Sequence, residues 1–456
     1  MTESRVPMEK LSDVVRRIGA TLHGADAAFV RVVTDTRQLG AKDLFVALKG
    51  DRFDGHDFVL RATSLGAAGC IVSRAIDSGP AQIVVPDTLI ALQAYAASWR
   101  ADAGVPVVAV TGSNGKTTTK QLLAEVVAAR GPVLATEGNL NNHIGVPLTL
   151  LRLRAEHRTA VIEMGANHPA EIAHLAAIAK PDIGIVTMAG DAHLEGFGSR
   201  EGVAHGKGEL FAALDGGVAA INADDTFAPL WRDLAKRASI VTFGCVDSAD
   251  VRAERVQIAA DETHFRLVTP DGHAEVVLRL AGRHNVSNAL AAAAGGVALG
   301  IAVDAIAAAL SRAQPVAGRL NWKTTREGAR LLDDTYNANP SSLRAALDLL
   351  ATLPGQRWLV LGDMKELGTG AEVLHEEAGC VARRLGIDRI YTVGDLARLA
   401  SVGFGTGRHF DSVETLVDAL HTDLRAGVAV LVKGSRSSRM ERVVAALCGT
   451  VVEGAH

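Results

Sequence analysis

Val107-Val-Ala-Val-Thr-Gly-Ser-Asn-Gly-Lys-Thr-Thr-Thr119 decides the fold: an apolar strand, a glycine turn carrying Lys-Thr, and then the helical run Lys120 to Ala129. That order of strand, loop and helix is the order of a nucleotide site. Gly112 and Gly115 let the backbone approach phosphate oxygens, and the following helix offers unpaired N–H groups and the positive end of its dipole. Lys116 adds a full charge, worth about 4 kcal/mol at about 4 Å from a phosphate oxygen with an effective dielectric of about 20. Thr117 has the hydroxyl that reaches magnesium in such loops, and Ser113, Asn114 and Thr118 complete the segment. The usual pattern has a glycine five residues before the second one; Val110 stands there, so the loop is a shortened variant. A lysine and three threonines at a helix start exceed what capping needs, and ATP or GTP binding is expected.

Outward from the loop, strand candidates continue at Ala160 to Ile162, Ile183 to Thr187 and Val218 to Ile221, each separated by enough chain for a crossover helix. Parallel pairing follows. Before the loop, Asp43-Leu-Phe-Val-Ala-Leu48 and Gln82-Ile-Val-Val85, then a helical pattern from Leu89 to Arg100, read as a small α/β domain ending at the turn Ala103-Gly-Val-Pro106. After a boundary near Pro315 to Arg319, Leu331-Leu332, Trp358 to Leu361, Arg389 to Val393 and Val428 to Val432 form a second open α/β sheet. The expected fold is α/β with three domains: a small N-terminal α/β domain (1–102), a central parallel-sheet ATP-binding domain (103–315) and a C-terminal Rossmann-like α/β domain (316–456). Gly112 to Lys116, Glu163, His193, Asp334, Asp363, Asp395 and Lys433 all fall at strand ends, where open parallel sheets bind ligands.

Composition narrows the function. The 456 residues carry 51 acidic and 47 basic side chains, with no Lys/Arg block, so no nucleic-acid partner is expected. Cys70, Cys245, Cys380 and Cys448 lie too far apart for zinc or redox motifs and read as reduced thiols. The charged N-terminus MTESRVPMEKLSDVVRRIGA lacks the apolar core of a signal peptide, and a cytoplasmic location is expected. The uncharged stretch Val286 to Val303 is Ala/Gly-rich with Ser287 and Asn288, a buried helix rather than a membrane insertion.

A nucleotide switch and an enzyme that spends ATP on bond formation are the competing classes. The base-reading Asn-Lys-x-Asp segment of GTPases and the loops of protein kinases are absent. Instead the chain offers Glu163 in Val161-Ile-Glu-Met-Gly165, His193 in Asp191-Ala-His-Leu-Glu-Gly-Phe-Gly198, and Lys207 in Gly206-Lys-Gly-Glu209. A carboxylate and an imidazole at strand ends hold a cation over phosphates.

With the phosphate loop, Thr136-Glu-Gly-Asn-Leu-Asn-Asn142, Glu163-Met-Gly165, His193-Leu-Glu-Gly-Phe-Gly198 and Gly282-Arg-His-Asn-Val-Ser-Asn-Ala-Leu290, the chain resembles the Mur ligases of bacterial cell-wall synthesis over nearly its whole length. Asp333-Asp-Thr-Tyr-Asn-Ala-Asn-Pro340, Leu361-Gly-Asp-Met-Lys-Glu-Leu-Gly368 and Lys433-Gly-Ser-Arg436 resemble the branch that joins D-alanyl-D-alanine to UDP-N-acetylmuramoyl-tripeptide. The Asp-Asn-Pro-Arg segment of diamino-acid-adding relatives does not occur. A relative that adds another residue, such as a diamino acid or glutamate, is the nearest rival reading.

The resemblance implies ATP and Mg2+ as cofactors, and an acyl phosphate that the acceptor amine displaces. It implies Lys116, Glu163, His193 and Lys207 as catalytic residues, with Thr117, Glu163, His193 and Lys207 near the metal, and Lys207 present as a carbamate or as a plain ammonium. Thr36 and Arg37, in Thr34-Asp-Thr-Arg37, with the neighbouring Phe53-Asp-Gly-His56, would take the UDP end, and Asn139 and Asn142 the rest of that substrate. Asn285 and Asn288 would contact adenine, and Arg319 and Asp334 would close over the nucleotide. Tyr336, Asn337, Asn339, Lys433 and Arg436 would receive the acceptor dipeptide and the reacting carboxylate. A monomer is expected.

Overall fold

The computed structural model describes residues 7–51, 53–77 and 79–450; the first six residues of the N-terminal stretch read above lie outside them. The contacts of the chain divide it into two units, one of Met1–Ala109, Gly131–Gly165 and Ala173–Asp182, the other of Val110–Arg130, Ala166–Ile172 and Ile183–His456.

In the first unit, the strands Val32–Val33, Leu44–Val46, Gly69–Val72 and Gln82–Val84 run parallel, with Thr21–His23 antiparallel at the edge. Their apolar runs are buried, with Phe45, Cys70 and Val72 packing on Val59 and Ala62 of the helix Val59–Ser64. The helix Thr88–Ala103 begins where the Asp87 carboxylate accepts from the N–H of Leu89 and Ile90, and ends at Gly104. The same unit holds the strand Thr159–Glu163, parallel to Val133–Ala135, and Ala160 N–H bonds Pro106 O beside the start of the strand Val107–Thr111.

That strand enters the second unit at Val110. There its end meets Thr187, whose N–H donates to Thr111 O at 2.9 Å. Ile183–Val186, Val218–Asn222 and Ser239–Gly244 pair in parallel, as their apolar runs indicate. Ser239–Gly244 is absent from the sequence reading, as are three strands that extend this sheet beyond it: Val251–Ile258 joins in parallel, and Thr263–Thr269 and Gly272–Leu278 follow antiparallel. Val286 to Ala298 lies in the helix Arg283–Ala298, mostly buried against the loop helix Lys116–Val127. Among the described residues no helix is long and apolar enough to cross a membrane.

The second sheet of this unit has the order Asn321–Thr324, Arg330–Asp334, Val428–Lys433, Gln356–Gly362, Arg389–Val393, Arg408–Phe410, parallel except for its first pair. Both faces are covered: Leu332, Leu359, Leu361 and Leu431 pack on one, Leu331, Trp358, Val360, Val430 and Val432 on the other. The last strand among the described residues lies between two earlier ones, which makes this the switch point of the sheet, and its crevice opens at the carboxyl ends Asp334, Gly362 and Lys433.

The helices Ala371–Arg384 and Ala397–Phe404 that cover this sheet touch backbone to backbone at Gly379, where a Cβ would lie 1.9 Å from Ala400 O. Helix propensity favours alanine over glycine by about 1 kcal/mol, but this overlap is the larger effect. Gly379→Ala is expected to destabilise the protein by about 1 to 3 kcal/mol in urea unfolding; an unchanged midpoint would show that the helices part freely.

Candidate functional site

The phosphate loop is fixed by contacts that leave no space for side chains. Gly112 (φ 141) lies so close to Thr187 that a Cβ would stand 1.9 Å from its hydroxyl, and a Cβ on Gly115 (φ 81) would stand 2.1 Å from Asn288 Oδ1. Thr187 Oγ1 donates to Asn114 O at 2.6 Å, Ser113 N–H to Met188 O at 2.9 Å, and Gly190 N–H to Ser113 Oγ at 2.9 Å. Lys116 opens the helix Lys116–Val127 and turns its Nζ back to Gly112 O (2.7 Å) and Ser113 O (3.3 Å). Thr118, one turn face further, is buried.

Asn285 and Asn288, expected at adenine, hold this loop from behind. Asn285 Nδ2 donates to Ala281 O, Asn288 Nδ2 to Asn285 Oδ1, and Thr119 Oγ1 to Asn288 Oδ1, so one chain of amides runs from the start of the helix Arg283–Ala298 to the glycine of the loop.

The second sheet of the unit meets the loop directly. Arg319 donates from a terminal nitrogen to Thr117 Oγ1 at 2.9 Å and stacks 4.2 Å over Tyr336, whose ring also has the Arg436 guanidinium 6.0 Å away. Asn339 exchanges amide hydrogen bonds with Asn114 (2.8 and 3.3 Å) while its Oδ1 caps the helix Pro340–Ala351 by accepting from Ser342 N–H. Ser341 Oγ donates to Asp191 at 2.9 Å. Lys433, expected at the acceptor, is buried and committed to the Asp334 carboxylate and to Asn337 O.

His193 sits with left-handed backbone (φ 58), its Nδ1 2.5 Å from Glu366 Oε2, and Glu366 is itself left-handed (φ 63). Burial holds the imidazole below its usual range against the pull of Glu366, and the charges of Lys116 and Lys207 push the same way as burial. Contact with His193 holds Glu366 below the usual carboxylate range. Lys207 is fully buried, donates to Ala166 O at 2.8 Å and lies 5.0 Å over the Phe197 ring; burial, with the charge of Lys116, drops it well below the ordinary lysine range. His193, Asn337, Asn339, Glu366 and Arg436 line a cavity of about 530 Å³.

In the first unit, Glu163 ends its strand fully buried, with Asn141 Nδ2 donating to Oε1 at 2.9 Å and Thr136 Oγ1 accepting from Glu163 N–H at 2.9 Å. Asn142 Oδ1 accepts from the N–H of Ile144 and Gly145 at the start of the helix Gly145–Leu150, and Asn139 is exposed. Thr36 is buried, and the exposed Arg37 folds back on Asp35 at 2.6 Å. Sequence reasoning missed Asn141, Lys365, Glu366 and Arg439; the last three line the cavity. Asn141 stood inside the quoted asparagine run, and Arg439 stands three residues after Arg436 in Ser435-Arg-Ser-Ser-Arg439.

Arg319 Nε is buried with no acceptor among the described residues, beside Thr117 at the head of the loop helix, a donor suited to an anion. No cluster of three or more His, Cys, Asp or Glu side chains is arranged for a metal among the described residues. Within this unit a threonine hydroxyl at the head of the loop helix suits the small hard cation that arrives on phosphate oxygens.

A phosphate loop on a parallel sheet, with an arginine brought to it from a second α/β sheet, defines a nucleotide-dependent α/β enzyme. Family models agree: Mur ligase family, catalytic domain, matches residues 28–130; Mur ligase middle domain matches 110–296; Mur ligase, glutamate ligase domain, matches 318–436. The UDP-N-acetylmuramoyl-tripeptide–D-alanyl-D-alanine ligase of Escherichia coli (strain K12) is 43% identical over 446 residues, 97% of this chain and 98% of that one. A crystal structure of MurF from Acinetobacter baumannii superposes with a TM-score of 0.92 at 37% identity, covering 98% of this chain and 100% of that one. The MurF ligase from Thermotoga maritima in complex with ADP gives 0.81 at 29% identity, covering 92% and 97%. The chain belongs to the Mur ligase family, and its three-domain α/β fold is that of these structures.

Gly115→Ala drives a methyl group into Asn288 and strains the turn. It is expected to lower kcat/KM for ATP by about 100-fold or more, equal to about 2.7 kcal/mol, while the protein stays folded by circular dichroism; an unchanged value would place the phosphates elsewhere.

Proposed function

We propose that this chain is an ATP-dependent ligase that adds D-alanyl-D-alanine to UDP-N-acetylmuramoyl-tripeptide, forming ADP and phosphate, in the synthesis of peptidoglycan precursors for the cell wall. The observation that carries the reading is identity of 43% over 97% of the chain to an enzyme of that name, with the phosphate loop intact. In domain terms the reading divides the chain at 1–102 for the UDP substrate, 103–315 for ATP and 316–456 for the acceptor. The enzyme works in the cytoplasm, where UDP-linked precursors and ATP are made, and as a monomer.

A carboxylate does not condense with an amine near neutral pH, because oxide is a poor leaving group. The tripeptide carboxylate therefore attacks the γ-phosphorus of ATP, ADP leaves, and the amine of D-alanyl-D-alanine then displaces phosphate from the acyl phosphate, losing a proton. Residues Gly112 to Thr118 bind and orient the phosphates, Lys116 and Arg319 offset the charge of the transferring group, and Asn285 and Asn288 keep the loop in shape. Asp334 holds Lys433 at the rim that Tyr336, Asn337, Asn339 and Arg436 share, while Thr36, Arg37, Asn139 and Asn142 serve the nucleotide-linked substrate. Contacts such as Asn114 with Asn339 support a rim that keeps water from the acyl phosphate. Thr117, Glu163, His193 and Lys207 as a carbamate would hold magnesium, which when bound neutralises phosphate charge.

The test is phosphate release with ATP, magnesium and UDP-muramoyl-tripeptide. D-alanyl-D-alanine is expected to be used far better than free D-alanine, and neither without the tripeptide; equal use of the monomer, or turnover by a diamino acid, would sink this substrate assignment.

The buried Lys207 supports the carbamate. An ordinary lysine is neutral in about one molecule in a thousand at pH 7.4, a cost of about 4 kcal/mol. Burial beside Lys116 lowers that cost, and the free amine adds carbon dioxide with loss of one proton. Protein in 13C-bicarbonate is expected to show a carbamate carbon that Lys207→Ala lacks, and short-chain carboxylic acids are expected to restore part of that variant's activity. Rescue by a primary amine alone, with no carbamate signal, would establish the plain ammonium.

A further inference from the structure

The cavity at the switch point has three cations on its walls, Lys365, Arg436 and Arg439, and two carboxylates, Glu366 and Glu441. Their partners account for nearly all of them. Glu366 is taken by His193 at 2.5 Å, Glu441 by Arg436 at 3.5 Å, and Lys365 by Asp363 at 2.9 Å, whose other oxygen accepts from the N–H of Leu396 and Ala397. Arg439 is left over: it is exposed at the cavity wall, and among the described residues its guanidinium meets no acceptor.

The backbone of Arg439 is left-handed (φ 49), a conformation that glycine adopts freely and an arginine does not. Its loop is not loose. Ser435 N–H and Ser438 Oγ both donate to Asp363 O, at 2.9 and 3.1 Å, and Lys365 N–H donates to Ser435 Oγ at 2.8 Å. His193 and Glu366, the other two left-handed residues on these walls, stand on the same cavity, and such strain gathers where ligands are held.

We propose that Arg439 takes the terminal carboxylate of the acceptor dipeptide through its planar fork, with the dipeptide's amine toward His193 and Glu366. The inference rests on the ligase reading above. In a free amino acid the carboxylate lies about 3.5 Å nearer its amine than in the dipeptide.

Arg439→Gly, Arg439→Lys and the wild type are assayed with D-alanyl-D-alanine and with its C-terminal amide. For the glycine variant the KM for the dipeptide is expected to rise about 10- to 100-fold, with the lysine variant between, while the KM for the amide and the KM for ATP stay where they were. Because glycine relieves the backbone, the thermal midpoint of Arg439→Gly is expected to equal or exceed that of the wild type, which separates lost recognition from lost folding. An Arg439→Gly protein that still prefers the dipeptide to the amide as strongly as the wild type, or that loses both acceptors equally, overturns the inference alone. A wild type that uses no dipeptide overturns the ligase reading and this inference with it.

Discussion

Backbone can approach an anion only where no side chain stands in front of it or behind it. Gly112 and Gly115 meet that demand on both sides: the space where each would carry a Cβ is already filled, by Thr187 and by Asn288. The rest of the site depends on that packing. The chain of amides through Asn285 and Asn288 fixes the loop against a buried helix, and the loop in turn presents Asn114 and Thr117 to Asn339 and Arg319. A single rigid turn thereby sets the registry of two sheets within one unit.

Charge is distributed along that registry in an orderly way. Lys116, Lys207, Arg319 and Lys433 gather in one region, and none is left to water: each bonds a carbonyl, a hydroxyl or a carboxylate of the protein. Burial and the charge of Lys116 therefore act on Lys207 in a way that a polyanionic substrate would relieve. The low position of Lys207 on the proton scale is one expression of that tension, and the low imidazole of His193 is another.

Much of this was legible in the sequence. The parallel strands are buried on both faces and so appear as uninterrupted apolar runs, from Val107 to Val110 and from Val428 to Val432. The strands Val251–Ile258, Thr263–Thr269 and Gly272–Leu278 were not, because their buried residues alternate with charged ones such as Arg252, Glu254 and Arg266 that face away from the core. The loop, Arg319 and the rim residues follow from local strings. Pairings between distant residues do not: Asn114 and Asn339 are 225 positions apart, and no periodicity announces an amide exchange. Asn288 shows the complementary difficulty, since an asparagine suited to a base serves equally well as the wall behind a glycine.

The strand Val428–Lys433 occupies the middle of its sheet although it comes last among the described strands. During synthesis from the N-terminus the phosphate loop is made early, whereas Arg330–Asp334 and Gln356–Gly362 must wait, unpaired on facing edges, until that strand arrives between them. Such long-range pairing is slow to form. No growing chain can display the cavity before its final strand has left the ribosome, so the order of the sheet keeps the two halves of the site from being assembled piecemeal.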